Sequence, residues 1–122
     1  MMKKNYEEGI MILSKLLEED DKPLNNFLKP LIYSSRSYGY MALSKFHEAT
    51  EDLELMENKY SLDLPNLYNK FICEGIIACN SQKYEQALSY FSKAGKTMPN
   101  RIEPNFYKAV TLICFTAKLI PK

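Results

Sequence analysis

The chain has 122 residues and a mass of 14.2 kDa, enough for one ordinary domain that buries roughly two-thirds of its unfolded surface. Hydrophobic residues make up 46% and charged residues 25%, with Gly 4 and Pro 6, which excludes collagen, low-complexity disorder and a disulfide-stapled miniprotein. The formal net charge of +1 gives no bulk basicity for nucleic acid and no acidic excess for cationic partners.

Periodicity near 3.6 residues dominates the chain and strand alternation is scarce. Tyr6, Gly9, Ile10, Leu13, Leu16 and Leu17 form the first apolar stripe, which Glu18 to Lys22 and Pro23 end. A second helix is expected from near Phe27, with Asn25 or Asn26 as N-cap and Pro30 in its first turn. It carries Leu31, Tyr33, Ser37, Tyr40 and Met41, and breaks at Ser44 and Lys45. The third helix sets Phe46, Ala49, Leu53 and Met56 against a wet face of Glu48, Glu51, Asp52, Glu54 and Glu57. Asp63 and Pro65 open the fourth, which runs through Leu67, Phe71, Gly75, Ile76 and Ala78 to a turn at Asn80, Ser81 and Gln82. The fifth holds Tyr84, Ala87, Leu88, Phe91 and Ala94 and stops before Pro99. The sixth starts near Pro104, with Phe106, Ala109, Val110, Leu112, Ile113 and Phe115.

An internal repeat runs through these helices. Phe46, Ala49, Leu53 and Met56 reappear as Tyr84, Ala87, Phe91 and Ala94, each 38 residues later. Tyr33, Ser37 and Tyr40 map onto Phe71, Gly75 and Ala78 at the same offset. Tyr6, Gly9, Leu13 and Leu16 lie 40 residues before the third-helix set. A two-helix unit recurring at this spacing predicts an α-solenoid.

On these residues the chain resembles the tetratricopeptide repeat family. The best repeat has Phe71 in the early aromatic place, Gly75 in the small-residue place and Ala78 in the later large-residue place of its first helix. Tyr84, Ala87, Phe91, Ala94 and Pro99 match the second helix and its closing proline. The pattern has a physical reason, since Gly75 and Ala87 let two helix backbones approach while Phe71 and Phe91 fill the flanking space. The resemblance implies an all-α, right-handed α-solenoid of antiparallel helix pairs with about six helices. Over residues 1–122 it would comprise a half repeat at 4–20, repeats at 27–58 and 64–99, and a half repeat at 103–120. One departure is regular: Arg36, Glu74 and, by the same count, Lys108 stand where the family has a large apolar residue. They form either structural ion pairs or a ladder that a partner reads.

No catalytic constellation is present in the sequence. His47 is the one histidine, expected on the surface; Cys73, Cys79 and Cys114 lack metal-ligand spacing; no glycine-rich phosphate loop occurs. We therefore expect no enzyme activity, cofactor or metal. No secretory h-region follows the first lysines, and Ala109 to Ala117, the longest uncharged apolar stretch, is too short to span a membrane. Unpaired thiols among apolar residues suit a reducing, cytoplasmic compartment. Residues 1–57 carry a balance of −4 and residues 58–122 one of +5, so the chain is mildly polar end to end.

By the resemblance, the first-type helices line a concave groove that holds a peptide or helix. Its residues here are Ser34, Ser35, Tyr38, Met41, Asn69, Ile72, Cys73, Ile76, Cys79, Asn80, Phe106, Tyr107, Val110 and Ile113. The family's carboxylate clamp is absent, because Ser34, Tyr38, Ile72 and Ile76 occupy its places. The expected function is a protein-interaction scaffold or adaptor within a larger assembly, gripping an amphipathic helix or extended apolar segment. The alternatives are a small chaperone for a hydrophobic client segment and a self-assembling structural subunit. Neither nucleic acid nor membrane insertion is expected. The apolar first and last helices suggest that the ends meet further repeats or another chain, or that the chain is a fragment of a longer array.

Overall fold

The computed structural model describes residues 2–19 and 23–119. Six α-helices account for nearly all of them, and no strand occurs among the described residues. They are α1 (Met2–Glu18), α2 (Pro23–Ala42), α3 (Phe46–Lys59), α4 (Leu64–Asn80), α5 (Tyr84–Thr97) and α6 (Glu103–Leu119). The helices group into two compact units, one of residues 1–62 and one of residues 63–122.

In the first unit α2 packs on both α1 and α3. Helix α2 begins four residues earlier than expected. Pro23, whose fixed φ suits a first helical position, opens it, so residues 25 and 26 lie inside the helix rather than capping it. Pro30 is therefore an interior proline, one N–H short of a full ladder. The sequence stripe of α1 yields no fully buried residue. Gly9, aligned with the close-packing Ala49, has open space around its backbone, and α1 docks instead through Ile10, whose side chain lies against Gly39. Ala49 and Leu53 are completely buried and Met56 nearly so. The acidic residues expected on the far side of α3 are exposed or half-buried except Asp52, which is buried.

In the second unit α5 packs on both α4 and α6. Asp63 caps α4 as its sequence position predicts: its carboxylate accepts from the Asn66 N–H at 3.0 Å and from Asn66 Nδ2 at 2.7 Å, with Pro65 in the first turn. Ala87, Phe91 and Ala94 are buried. The Phe91 ring occupies the space beside Gly75, where ring carbons would stand 2.7 Å from an added Cβ. Tyr107 of α6 stacks on that ring, with centroids 5.2 Å apart, and Tyr84 stacks on Phe115 at 5.3 Å.

Helices α3 and α5 begin and end at positions 38 apart, and the turns that precede them repeat bond for bond. Ser44 N–H donates to Met41 O and Lys45 N–H to Tyr40 O; Gln82 N–H donates to Cys79 O and Lys83 N–H to Ala78 O. Ser44 and Gln82 share a left-handed backbone, with φ of 60° and 62°. The closing bonds match too, from Tyr60 to Met56 and from Met98 to Ala94. Lys45 and Lys83 begin their helices without a side-chain cap; Glu48 and Glu85 in the first turns and Lys59 and Lys96 in the last complement the helix dipoles.

Helix α6 corrects the expected register. Its packed stripe runs through Pro104, Tyr107, Lys108, Thr111 and Phe115, and Pro104 and Thr111 are almost fully buried. The Thr111 hydroxyl donates to Tyr107 O at 2.7 Å and reaches Cys79 Sγ at 3.7 Å. Phe106, Ala109, Val110, Leu112 and Ile113 are exposed. An almost uniformly apolar helix carries no internal signal of which side its neighbour meets.

Candidate functional site

The expected groove residues fall on three helices, each with its own face. On α2, Ser34, Tyr38 and Met41 follow i, i+4, i+7 spacing; Tyr38 is exposed and the other two are half-buried. Ser35 is exposed. On α4, Asn69, Ile76 and Cys79 are half-buried and Asn80 is exposed. Ile72 and Cys73 are core residues, with 5% and 0% of their surface accessible, so they are removed from the candidate lining. Ile72 shares the face of buried Gly75, three residues on, whereas Cys73 projects from a different side, so α4 is buried over a broad arc of its surface. On α6, Phe106, Val110 and Ile113 are 64%, 39% and 69% exposed along one i, i+4, i+7 stripe. Tyr107, one residue from that stripe, is turned onto Phe91 instead. Within the second unit, α4 and α6 touch where Cys79 meets Thr111.

The regular charged positions do not pair as a set. Arg36 makes a two-pronged bond to Asp52, Nε donating to Oδ2 at 2.8 Å, with a second bond from the other arm to Oδ1. Its remaining nitrogen donates to Ser14 Oγ at 3.1 Å, and that hydroxyl donates to Ile10 O. One guanidinium thereby ties α1, α2 and α3 together. Asp52 raises the Arg36 pKa above its ordinary value, chiefly through the hydrogen bond and against the effect of burial. Glu74, 38 residues on, bonds Tyr90, which is the repeat position of Asp52, and pairs with Lys70 at 3.8 Å. Burial first and then Glu74 push the Tyr90 hydroxyl up. The same interhelical position is thus an ion pair in one unit and a phenol–carboxylate bond in the other. Asp52 is a polar group that periodicity assigns to a solvated face; the one sequence hint of its burial is the arginine in an apolar place.

The three cysteines are free thiols. Burial, and then the adjacent Glu74 charge, push Cys73 up to about 12, so it is a protonated core residue. Cys79 and Cys114 are half-buried. His47 is exposed. Among the described residues no group of His, Cys, Asp and Glu is disposed to hold a metal, and no helix is long and apolar enough to cross a membrane.

Comparison with family models, with curated proteins and with solved structures returns no match for this chain.

Proposed function

We propose that this protein is a non-catalytic protein-interaction module of tetratricopeptide-like type. In this reading the helix pairs are antiparallel repeats of a right-handed solenoid, and the first-type helices α2, α4 and α6 present their faces to a helix or extended apolar segment of a partner. The observation that carries it is the stripe of Phe106, Val110 and Ile113 on α6, three large apolar side chains left in water at partner-helix spacing. Removing such a stripe from water contributes roughly 25 cal/mol per Å² of apolar area, which is why a helix's apolar face is the natural occupant. The repeated turn and cap bonds of the two helix pairs support the repeat assignment. Free thiols, with Cys73 buried, fit a reducing compartment such as the cytoplasm.

The test is a crosslinked pull-down from native extract, read by mass spectrometry, with Ile113→Glu beside the wild type. Loss of one or a few specific partners in the variant is expected. Partners kept at full yield in Ile113→Glu and in Tyr38→Glu would overturn the groove. Self-assembly is the second reading, favoured by the exposed Met11 and Ile12 on α1, at 52% and 53%. A concentration-dependent mass in light scattering that Ile12→Glu abolishes would establish it in place of the adaptor.

A further inference from the structure

We propose that the hollow between α5 and α6 is a separate docking site for an acidic peptide segment of a partner protein. The cavity has a volume of about 570 Å³ and lies wholly within the second unit. Its floor is apolar, because Phe91 and Pro104, both in its lining, are almost completely buried. Gly95 leaves it deep: a Cβ there would sit in ordinary contact, 3.7 Å from Pro104 Cβ, and a longer side chain would enter the hollow.

The polar lining is biased to one sign. Lys96 comes from the last turn of α5, Arg101 from the connection and Lys108 from α6. Lys96 and Lys108 have no ion-pair partner among the described residues. Arg101 is only loosely held, 3.9 Å from the Glu103 carboxylate and with its guanidinium 5.6 Å above the Tyr68 ring. Glu103 is shared further, since the Tyr68 hydroxyl donates to it at 3.4 Å. Three cations around a shared hollow create a local field that attracts anions.

The spacing selects the kind of anion. A compact phosphate is best held by main-chain N–H groups and arginine forks converging on one point. Here the charges sit on three successive segments, two of them as lysine ammonium groups on flexible stems, which accept carboxylates at varied angles. That arrangement fits several carboxylates spread along a chain, with the exposed Pro99 in the lining available to an interleaved apolar side chain. The site shares no residue with the Phe106, Val110 and Ile113 stripe, so it does not depend on the groove reading.

Fluorescence anisotropy of a labelled decapeptide rich in glutamate, against its glutamine counterpart, tests the assignment near physiological salt. Saturable binding of the glutamate peptide alone is expected. The affinity should fall about tenfold or more in the Lys96→Gln/Lys108→Gln double variant. Gly95→Leu, which fills the hollow without changing charge, should lose binding to a similar extent. Lys118→Gln should leave it within about twofold. Circular dichroism confirms that each variant is folded. Absence of saturable binding, or an equal loss in Lys118→Gln, overturns the site. Binding of inorganic phosphate with the same variant pattern, but not of the peptide, overturns the peptide and assigns a small oxyanion.

Discussion

The ring of Phe91 fills the space that a side chain on Gly75 would need. Phe91 is buried and also stacks on Tyr107, so shifting the ring to make room would disturb that contact as well. Elsewhere in a helix, replacing glycine by alanine gains about 1 kcal/mol of propensity. At Gly75 the clash outweighs that gain, and Gly75→Ala is expected to destabilise the protein by about 1–3 kcal/mol, with Gly75→Leu unfolding the second unit. Gly9, with nothing within 4 Å of its added Cβ, is the opposite case. Gly9→Ala should raise stability by up to about 1 kcal/mol. Urea titrations of the two alanine variants must give opposite signs; a stable Gly75→Ala would overturn the packing described.

Asp52→Ala removes both acceptors of a mostly buried guanidinium and leaves Arg36 facing α1 and α3 without its counter-charge. A loss of about 2–4 kcal/mol is expected, the size associated with orphaning a buried ion. Replacing the pair together, as Arg36→Met with Asp52→Leu, should recover most of it, because the desolvation cost of both charges disappears. A double-mutant cycle by chemical denaturation measures the coupling.

The cap on α4 is a local and separable contribution. Asp63→Ala should cost about 1 kcal/mol, while Asp63→Ser keeps an acceptor for the Asn66 N–H and should cost less. Equal losses in the two variants would mean that the capping bond does not matter.

Alkaline pH should unfold the protein earlier than its net charge suggests. The Cys73 thiol titrates near 9.0 when unfolded and at about 12 when folded; Tyr68, buried and beside Glu103, moves from 10.0 to about 12. Both groups are neutral when protonated, and the folded state keeps the proton longer. Their contribution is therefore complete below pH 9 and is lost progressively as pH rises from there toward 12. The slope from Cys73 is at most about 1.4 kcal/mol per pH unit. In Cys73→Ala the decline should begin about one unit later, where Tyr68 takes over. Under native conditions at pH 8 an alkylating reagent should modify Cys79 and Cys114 well before Cys73.

Much of this molecule was legible in its residues, and the reasons are specific. The helix pairs could be read because Ala49 and Ala87, Leu53 and Phe91, and Met56 and Ala94 are all buried at the offset their sequence spacing predicts. Asp63 was recognisable as a cap because its side chain acts within its own turn. What failed depended on partners distant in sequence. Arg36 was placed with Glu74 and Lys108, whereas its carboxylate is Asp52, which periodicity had assigned to a wet face. The early start of α2 was hidden because Pro30 looked like a first-turn proline when Pro23 held that role. On the candidate groove, α6 kept its three apolar residues exposed, while Ile72 and Cys73 went to the core. Their spacing fits both faces of α4, and only packing decides between them.

The two left-handed turns, at Ser44 and Gln82, hold one shape with different side chains: Leu43-Ser44-Lys45 in one and Ser81-Gln82-Lys83 in the other. Main-chain atoms make every bond that defines them. These joints therefore constrain length more than composition. Polar substitutions within them should be nearly silent, apart from β-branched residues at the two left-handed positions, whereas one inserted residue would swing the following helix by roughly 100°. Ala49 or Ala87 would then leave the packed face for water. Drift in such a chain can erase the letters of a joint while the count between joints stays fixed, so the 38-residue interval is the more durable record of its ancestry.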